Sequence, residues 1–218
     1  MSCDETQDGA PHLAGTHLAA SPRLFRNPLL DKFSRVHPAV PFLIYVPIAA
    51  VLLWKAGLPV RHMIVTFVVG YLLWTLLEYF GHRFIFHFRA SSRFGGWIQF
   101  LIHGVHHEHP NDPLRLVMPP VMSLPIMVAA FALLRLAVGP SMVLPLMAGF
   151  LAGYLLYDGL HFYLHQRQPA NALGRYLRRR HMHHHFRDQR SWFGVSAPWW
   201  DAIFATRPHE KAARSWTQ

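Results

Sequence analysis

Histidine is the residue whose number and spacing in this sequence first suggest chemistry. The chain of 218 residues holds 17 histidines, and ten of them form one HxxxxH, two HxxHH and one HxxxH pattern. In chain order these box histidines are His82, His87, His103, His106, His107, His161, His165, His181, His184 and His185. Imidazole is a ligand for iron, zinc, copper and nickel, so the boxes predict a metal centre. The alternative, a histidine-rich tract on a basic loop, does not account for helix-compatible spacings spread along the chain.

Helix geometry predicts how the boxes are shared between ions. His161 and His165 are four positions apart and therefore lie on one helix face. In an HxxHH box the first histidine shares a face with both later ones, which are rotated by about 100° from each other, so one box can serve two ions. The ends of HxxxxH are rotated by about 140°, which predicts that His82 and His87 bind different ions. Ten ligands shared by two ions leave room for dioxygen or a substrate.

Glu78 and Asp158 each lie within one helical turn of a box histidine. We expect these carboxylates to accept a hydrogen bond from an imidazole nitrogen, which would orient the ring. They would also offset part of the positive charge of the metal ions. An ordinary hydrogen bond within a helix bundle is the alternative interpretation for both.

Four apolar runs must position the boxes, and they cover residues 38–56, 62–80, 120–138 and 140–157. Each run can cross a bilayer core of about 30 Å as a helix, with a Gly-Pro turn between the last two. The chain is 52% hydrophobic with a formal net charge of +10, which is typical of a multi-pass membrane protein with basic loops. We predict an all-α membrane protein with four transmembrane helices in two hairpins, capped by a helical, histidine-rich di-metal domain. A soluble helical bundle is the alternative.

The distribution of basic residues predicts the orientation in the membrane. With four spans, the N-terminal region, the middle loop and the C-terminal region share one side, and all four boxes lie there. All but three of the 21 Lys and Arg residues also lie on that side, the exceptions being Lys55, Arg61 and Arg135. Because Lys and Arg are enriched in cytoplasmic loops, the side with the boxes is predicted to be cytoplasmic.

The sequence divides into a predicted flexible arm at 1–36, a membrane domain at 37–206 and a C-terminal tail at 207–218. Residues 1–20 show no secretory signal. Cys3 is the only cysteine, which excludes a disulfide within the chain. No nucleic-acid-binding motif accompanies the basic charge, so no nucleic-acid partner is expected.

Four stretches carry a resemblance to a known family. They read LLEYFGHRFIFH at 76–87, IHGVHHEHPNDPLRLVMPP at 102–120, YDGLHFYLH at 157–165 and HMHHHFRDQRSWFGVSAPWWD at 181–201. They resemble the fatty acid hydroxylase and sterol desaturase superfamily of membrane non-haem di-iron enzymes, and look closest to its fatty acid 2-hydroxylase branch. The resemblance covers about 38–206. It implies an oxidoreductase that uses dioxygen to hydroxylate a lipid acyl chain at carbon 2.

The resemblance also implies two iron ions and two ligand sets in a cytosolic helical cap. One set consists of His87, His103, His106, His161 and His165. The other consists of His82, His107, His181, His184 and His185. Zinc can replace iron in a purified sample, because it outcompetes iron for such ligands.

Many eukaryotic members of the superfamily carry an N-terminal cytochrome b5 domain, for which the arm here is too short. His37-Pro38-Ala39-Val40 also differs from the HPGG haem motif. A separate electron donor is therefore expected, such as cytochrome b5, a ferredoxin or a reductase. Arg outnumbers Lys, which favours a GC-rich bacterial genome and so the bacterial inner membrane; in a eukaryote we expect the endoplasmic reticulum.

Other functions stay open at this stage. Sterol or carotenoid oxidation and desaturation share the same boxes within the superfamily. A metal transporter would place ligands near the bilayer midplane, where these helices lack them. Arg115 and Asp112 are expected either to contact a lipid head group or to lock their loop. Aromatic side chains that anchor the protein at the interface or line an acyl-chain tunnel are predicted at Trp97, Phe100, Trp192, Phe193, Trp199 and Trp200. The substrate-binding residues remain unassigned.

Overall fold

A computed structural model describes Ser21 and residues 23–208, so most of the predicted arm at 1–36 and of the tail at 207–218 lies outside the described residues. Within the described part, every regular element is helical, which confirms the all-α prediction. The α-helices are α1 (Pro28–Phe33), α2 (Val40–Lys55), α3 (Val60–Phe80), α4 (Arg93–Gln99), α5 (Val105–Glu108), α6 (Pro120–Gln166), α7 (Ala172–Phe186) and α8 (Trp199–Ile203). Two π-helical stretches follow α3 and α4, at Gly81–Phe86 and Phe100–Gly104.

Helix α6 is two helices joined by a sharp turn. Gly139 has φ +80° and ψ 174°, a left-handed conformation that glycine tolerates best. The Tyr45 hydroxyl of α2 donates a hydrogen bond of 2.8 Å to Ser123 Oγ, and its ring packs 5.3 Å from the ring of Tyr154. On one straight helix Ser123 and Tyr154 would be about 45 Å apart. The chain therefore folds back at Gly139, where the sequence predicts a turn.

Helix α3 runs parallel to the second half of α6, and the two backbones touch. A Cβ atom added at Gly70 would lie 1.9 Å from the carbonyl oxygen of Leu146, and one at Gly149 would lie 1.9 Å from that of Phe67. Small residues allow such close approach between membrane helices. One turn further along, the Trp74 ring packs against Phe150. The parallel direction brings the C-terminal ends of both helices to the same end of the bundle, where His82 follows α3 and His161 and His165 lie on α6.

Two helical stretches in the described part are long and apolar enough to cross a membrane, Val60–Phe86 and Pro120–Gln166, and α2 is a shorter apolar helix. These helices expose large apolar side chains, among them Leu43, Val65 and Leu136. Such surfaces are unusual on a soluble protein and match a lipid environment. The prediction of four transmembrane spans rests on reading α2 and both halves of α6 as separate spans, and it stays a prediction.

Candidate metal centre

The ten box histidines form two groups of five near the C-terminal ends of α3 and α6, and within each group the ligand atoms all lie within 4.8 Å of one another. Cluster 1 consists of His82, His87, His103, His107 and His184. Cluster 2 consists of His106, His161, His165, His181 and His185. The boxes therefore converge as predicted, and each group could hold a metal ion.

The division between the clusters corrects the ligand sets that the resemblance implies. His87 and His103 belong with cluster 1, and His181 and His185 belong with cluster 2. Residues i and i+4 on an α-helix are rotated by about 40°, whereas i and i+3 are rotated by about 60° in the opposite sense. In both HxxHH boxes the first histidine accordingly shares a cluster with its i+4 partner. The i+3 histidine of each box faces the other cluster.

The expectation that His82 and His87 bind different ions is also corrected, since both lie in cluster 1. The cause is the π-helix at Gly81–Phe86, in which hydrogen bonds join residues five positions apart. The backbone N–H of His87 donates to the carbonyl of His82 at 3.3 Å. An α-helix would turn the two side chains away from each other, but the wider π turn brings position i+5 back to the same face.

Three of the rings are oriented by backbone carbonyls. His82 Nδ1 lies 2.7 Å from the carbonyl oxygen of Phe193. His161 Nδ1 lies 2.9 Å from that of Leu116, and His184 Nδ1 lies 2.7 Å from that of Ser191. A carbonyl oxygen only accepts, so Nδ1 carries the proton in each ring. Their Nε2 atoms then present lone pairs, as a metal ligand requires.

The Nε2 atoms of each cluster point at one another. His184 Nε2 lies 2.9 Å from His87 Nε2, and His161 Nε2 lies 3.0 Å from His106 Nε2. His82 Nε2 is buried and, among the described residues, has no hydrogen-bond partner. Buried lone pairs that face other nitrogens are unfavourable unless a cation lies between them. The donor set therefore fits a divalent transition metal in each cluster.

Burial favours the neutral form of these imidazoles. It lowers the pKa of His184 to about 3, with a further contribution from the nearby His87. Burial also lowers the pKa of His106 far below its ordinary value of 6.5, assisted by His161 and His165. Protons therefore compete little with a metal for these nitrogens near neutral pH.

One loop, Ser191–Ala197, supplies two of the three orienting carbonyls, and we call it the carbonyl loop. Two buried carboxylates hold it. Glu78 accepts hydrogen bonds from the backbone N–H groups of Val195 and Ser196, each at 2.8 Å, and from the Ser196 hydroxyl. Asp201 accepts from the N–H groups of Phe193 at 2.8 Å and Gly194 at 3.0 Å. Glu78 therefore acts on the rings through this loop, which corrects the prediction that it accepts directly from an imidazole.

Asp158 plays a comparable part beside cluster 2. Its carboxylate accepts from the backbone N–H of Met118 at 3.4 Å. Two residues earlier, the Leu116 carbonyl faces His161 Nδ1. Asp158 thus supports the segment that orients a ring instead of binding the ring itself, which corrects the second carboxylate prediction in the same way.

Asp201 and Arg180 are residues of this site that the sequence analysis missed. Asp201 is fully buried, and its Oδ2 atom lies 2.7 Å from Arg180 Nη2. Charged side chains are almost never fully buried without a partner. The available signal in the sequence was an aspartate directly after two tryptophans, together with an arginine directly before the last histidine box.

A cavity of about 420 Å³ opens beside both clusters, with His103 of cluster 1 and His106 and His161 of cluster 2 in its wall. Most of its other lining side chains are apolar. The six aromatic candidates for a tunnel are absent from this wall. Phe193 instead packs against the His82 and His184 rings, and the other five stay candidates for interfacial anchors.

Comparison with known proteins gives a consistent result. A family model described as "Fatty acid hydroxylase" matches residues 67–206. A dihydroceramide fatty acyl 2-hydroxylase of Arabidopsis thaliana is 42% identical over 66% of this chain and 61% of its own length. A fatty acid 2-hydroxylase of Rattus norvegicus is 36% identical over 87% of this chain and 58% of its own. The chain thus spans about six-tenths of these relatives.

A solved structure described as full-length scs7p, in which only the hydroxylase domain is visible, also resembles this fold. It superimposes with a TM-score of 0.77 at 32% sequence identity, over 83% of this chain and 70% of that one.

Proposed function

The chain belongs to the fatty acid hydroxylase family, as the sequence motifs predicted, and we propose that it is a membrane non-haem di-iron monooxygenase that hydroxylates a lipid acyl chain at carbon 2. One observation carries the proposal: an apolar cavity of about 420 Å³ borders both histidine clusters. An apolar cavity of this size suits a hydrocarbon chain. The clusters suit redox-active metal ions beside it.

The proposed reaction converts a C–H bond of the acyl chain into C–OH. One oxygen atom of dioxygen enters the product, and the other leaves as water. Two electrons and two protons complete the balance. The electrons come from a donor such as cytochrome b5, a ferredoxin or a reductase.

We assign the ten box histidines as the metal ligands, and bound iron would supply the activation of dioxygen that organic side chains cannot provide. The chain's own residues then have three tasks. The histidines hold their Nε2 lone pairs towards the cluster centres, and the carbonyl loop fixes the tautomer of His82 and His184. The cavity wall excludes water and holds the acyl chain beside His103, His106 and His161.

The choice of carbon 2 and of a fatty acyl substrate comes from the relatives, which are named fatty acid 2-hydroxylase and dihydroceramide fatty acyl 2-hydroxylase. A ceramide-type lipid is the natural first candidate. Four transmembrane spans would place the clusters at the cytoplasmic face, where most of the positive charge lies. The relatives come from a plant and a mammal, so the bacterial inner membrane stays a prediction.

The test is a lipid profile from a host without hydroxylated lipids, with an electron donor co-expressed. The wild type is compared with His184→Ala and with His62→Ala, an exposed histidine outside the boxes. We expect acyl chains with one added oxygen at carbon 2 in the wild type and in His62→Ala, and none in His184→Ala. A new double bond, or an oxidised sterol or carotenoid, would replace the proposal with one of the alternative reactions. Product in His184→Ala would contradict the metal assignment.

A further inference from the structure

A cluster of buried charges joins the N-terminal part of the described chain to the loop after α5. Asp112 and Arg115 of this loop are 3% and 8% exposed, and Asp31 of α1 is 8% exposed. Arg115 Nη2 lies 3.5 Å from Asp31 Oδ1, and Arg35 Nη1 lies 3.4 Å from Asp112 Oδ2. The backbone N–H of Ser21 donates to Asp112 Oδ2 at 3.0 Å. We call this group, Ser21, Asp31, Arg35, Asp112 and Arg115, the clasp.

The clasp serves to hold two chain segments together. Buried charges are tolerated only when they are paired and hydrogen-bonded, and here each acid meets an arginine from the other segment. Next to the clasp, the backbone N–H of Val36 donates to the carbonyl of Leu114 at 2.8 Å. Of the two interpretations left open for Arg115 and Asp112, these contacts favour locking the loop over binding a lipid head group.

What the clasp holds is one wall of the cavity. We call residues 23–36 the cover segment, and its Leu24, Phe25, Leu30 and Phe33 all line the cavity. Leu30 and Phe33 are also 52% and 64% exposed, so these two side chains lie at the edge where the cavity opens. The predicted flexible arm thus includes, in its described part, a helical segment that faces the proposed substrate.

The position of this wall depends on the clasp. Helix α1 has six residues, and a helix of this length is not stable without tertiary contacts. Its exposed apolar side chains add little burial that could hold it. The charges of Asp31 and Arg35, together with the Val36 backbone hydrogen bond beside them, therefore tie Leu30 and Phe33 to the rest of the cavity wall.

We propose that the cover segment is the part of the cavity wall that selects the lipid, with Leu30 and Phe33 as the specificity-determining side chains and the clasp as the joint that positions them. The occupant is a lipid with a long acyl chain, so this inference rests on the proposed function. It adds a location for chain selection at a distance from the histidines.

The first experiment measures binding without turnover. A fatty acid with a mid-chain diazirine is photolysed with the purified protein in detergent, and its adducts are mapped by peptide mass spectrometry. We expect adducts on the cover segment and on residues 116–122, which form another wall. In Arg35→Gln the ratio of cover-segment adducts to those on 116–122 should fall about fivefold or more, since losing a few methylene contacts has that effect. Arg93→Gln, an exposed arginine outside the clasp, should leave the ratio unchanged.

Two results of that experiment would overturn the inference: no adducts on the cover segment of the wild type, or an unchanged ratio in Arg35→Gln. Arg115→Gln removes the more buried arginine and gives a second reading if the milder variant is ambiguous. Because no turnover is needed, this experiment decides the position of the wall even if the hydroxylase proposal fails.

The second experiment measures selection. The host is fed a mixture of acyl chains of different lengths, and the ratio of hydroxylated long to short chains is determined. We expect Leu30→Ala and Phe33→Ala to change this ratio by about three- to tenfold with unchanged metal content. Leu29→Ala is the matched control, because Leu29 lies on the same helix but outside the cavity wall. An unchanged ratio in both cavity variants, with active enzyme, would contradict the assignment of these two side chains.

Discussion

Cluster 1 and cluster 2 contain five histidines each, but different parts of the chain hold them in place. Cluster 2 is built largely from two helices, since His161 and His165 lie one turn apart on α6, and His181 and His185 lie one turn apart on α7. Cluster 1 draws His82 from a π-helical stretch and His87 from the residue that directly follows it, and its His87 and His107 are only partly buried. The carbonyl loop orients two rings of cluster 1, whereas one backbone carbonyl orients a ring of cluster 2.

This difference indicates which structural features each cluster needs to hold its ligands in place. Regular helix geometry pairs His161 with His165 and His181 with His185, so that cluster 2 needs only the packing of α6 against α7 to join four of its five ligands. The geometry of cluster 1 depends on a π-helix and on a loop held by Glu78 and Asp201. We therefore expect substitutions at buried acids to affect cluster 1 more than cluster 2, and the following experiments test this ordering from the largest effect to the smallest.

Removal of a ligand should have the largest effect on either cluster. In His184→Ala we expect metal content to fall from about two ions per chain to about one, with loss of hydroxylation by more than about 100-fold, since even residues behind the ligands contribute 10–100-fold. His181→Ala should do the same through cluster 2. Metal is measured by elemental analysis of the purified protein, and His62→Ala is the control. Loss of both ions in either variant would show that the clusters are not independent.

Removal of the carbonyl-loop acids should come next and should affect cluster 1 alone. We expect Glu78→Gln and Asp201→Asn to weaken one of the two metal sites by about 10–100-fold, seen as one early phase in a chelator titration. Asp201→Asn also leaves the Arg180 guanidinium buried without its partner, so it should lower the free energy of unfolding by about 3–5 kcal/mol. Glu78→Gln separates the metal effect from this loss of stability. Two unchanged chelation phases in Glu78→Gln would show that the carbonyl loop does not support metal binding by cluster 1.

Asp158→Asn should have a smaller effect, and on the other cluster. The hydrogen bond from the Met118 N–H to Asp158 is 3.4 Å long, which is weak for a hydrogen bond, and the helix pairs hold cluster 2 without it. We expect the affinity of cluster 2 to fall by less than about tenfold in the same titration. An effect larger than that of Glu78→Gln would reverse the proposed ordering of the two clusters.

Most of the fold and the membership of the site could be predicted from the sequence, because both depend on local patterns. Apolar runs and the Gly139-Pro140 turn located the helices, and the spacing of histidines located all ten ring positions. The placement of His82 and His87 in one cluster could not be predicted, because it depends on whether residues 81–87 turn as an α-helix or a π-helix. That choice is made by packing between distant parts of the chain.

The roles of the acids were beyond sequence reasoning for a related reason. Spacing placed Glu78 and Asp158 near the histidines, but it could not show that a loop more than 100 residues from Glu78 would come between them. The contacts Asp31–Arg115 and Asp112–Arg35 likewise join segments far apart in the chain. Pairings of this kind leave no periodic signal, and only the folded structure reveals them.

The smallest expected effect is a response of cluster 2 to acid through the clasp. Burial raises the pKa of Asp112, but hydrogen bonds from Ser21 and Leu114 and the charge of Arg35 outweigh it and hold the pKa below 3.8. The pKa of Asp31 is likewise lowered, since the contacts with Leu24, Arg35 and Arg115 outweigh burial. A carboxylate whose pKa is lowered in the folded protein stabilises the fold at pH values above its ordinary pKa. This stabilisation is lost as the pH falls through the lowered pKa. The clasp should therefore hold at pH 5 and loosen below about pH 3.8.

Hydrogen exchange provides the measurement, because protection factors correct for the intrinsic effect of pH. We expect protection of the cover segment to fall between pH 5 and pH 3, and protection of residues 116–118 to fall with it, because Leu116 directly follows Arg115 of the clasp. Protection of the carbonyl loop beside cluster 1 should change less, since its contacts do not involve the clasp. In Arg35→Gln the loss should already be present at pH 5. If the carbonyl loop lost protection first, the clasp would not be the acid-sensitive joint. The prediction that acid affects the surroundings of cluster 2 more than those of cluster 1 would then be wrong.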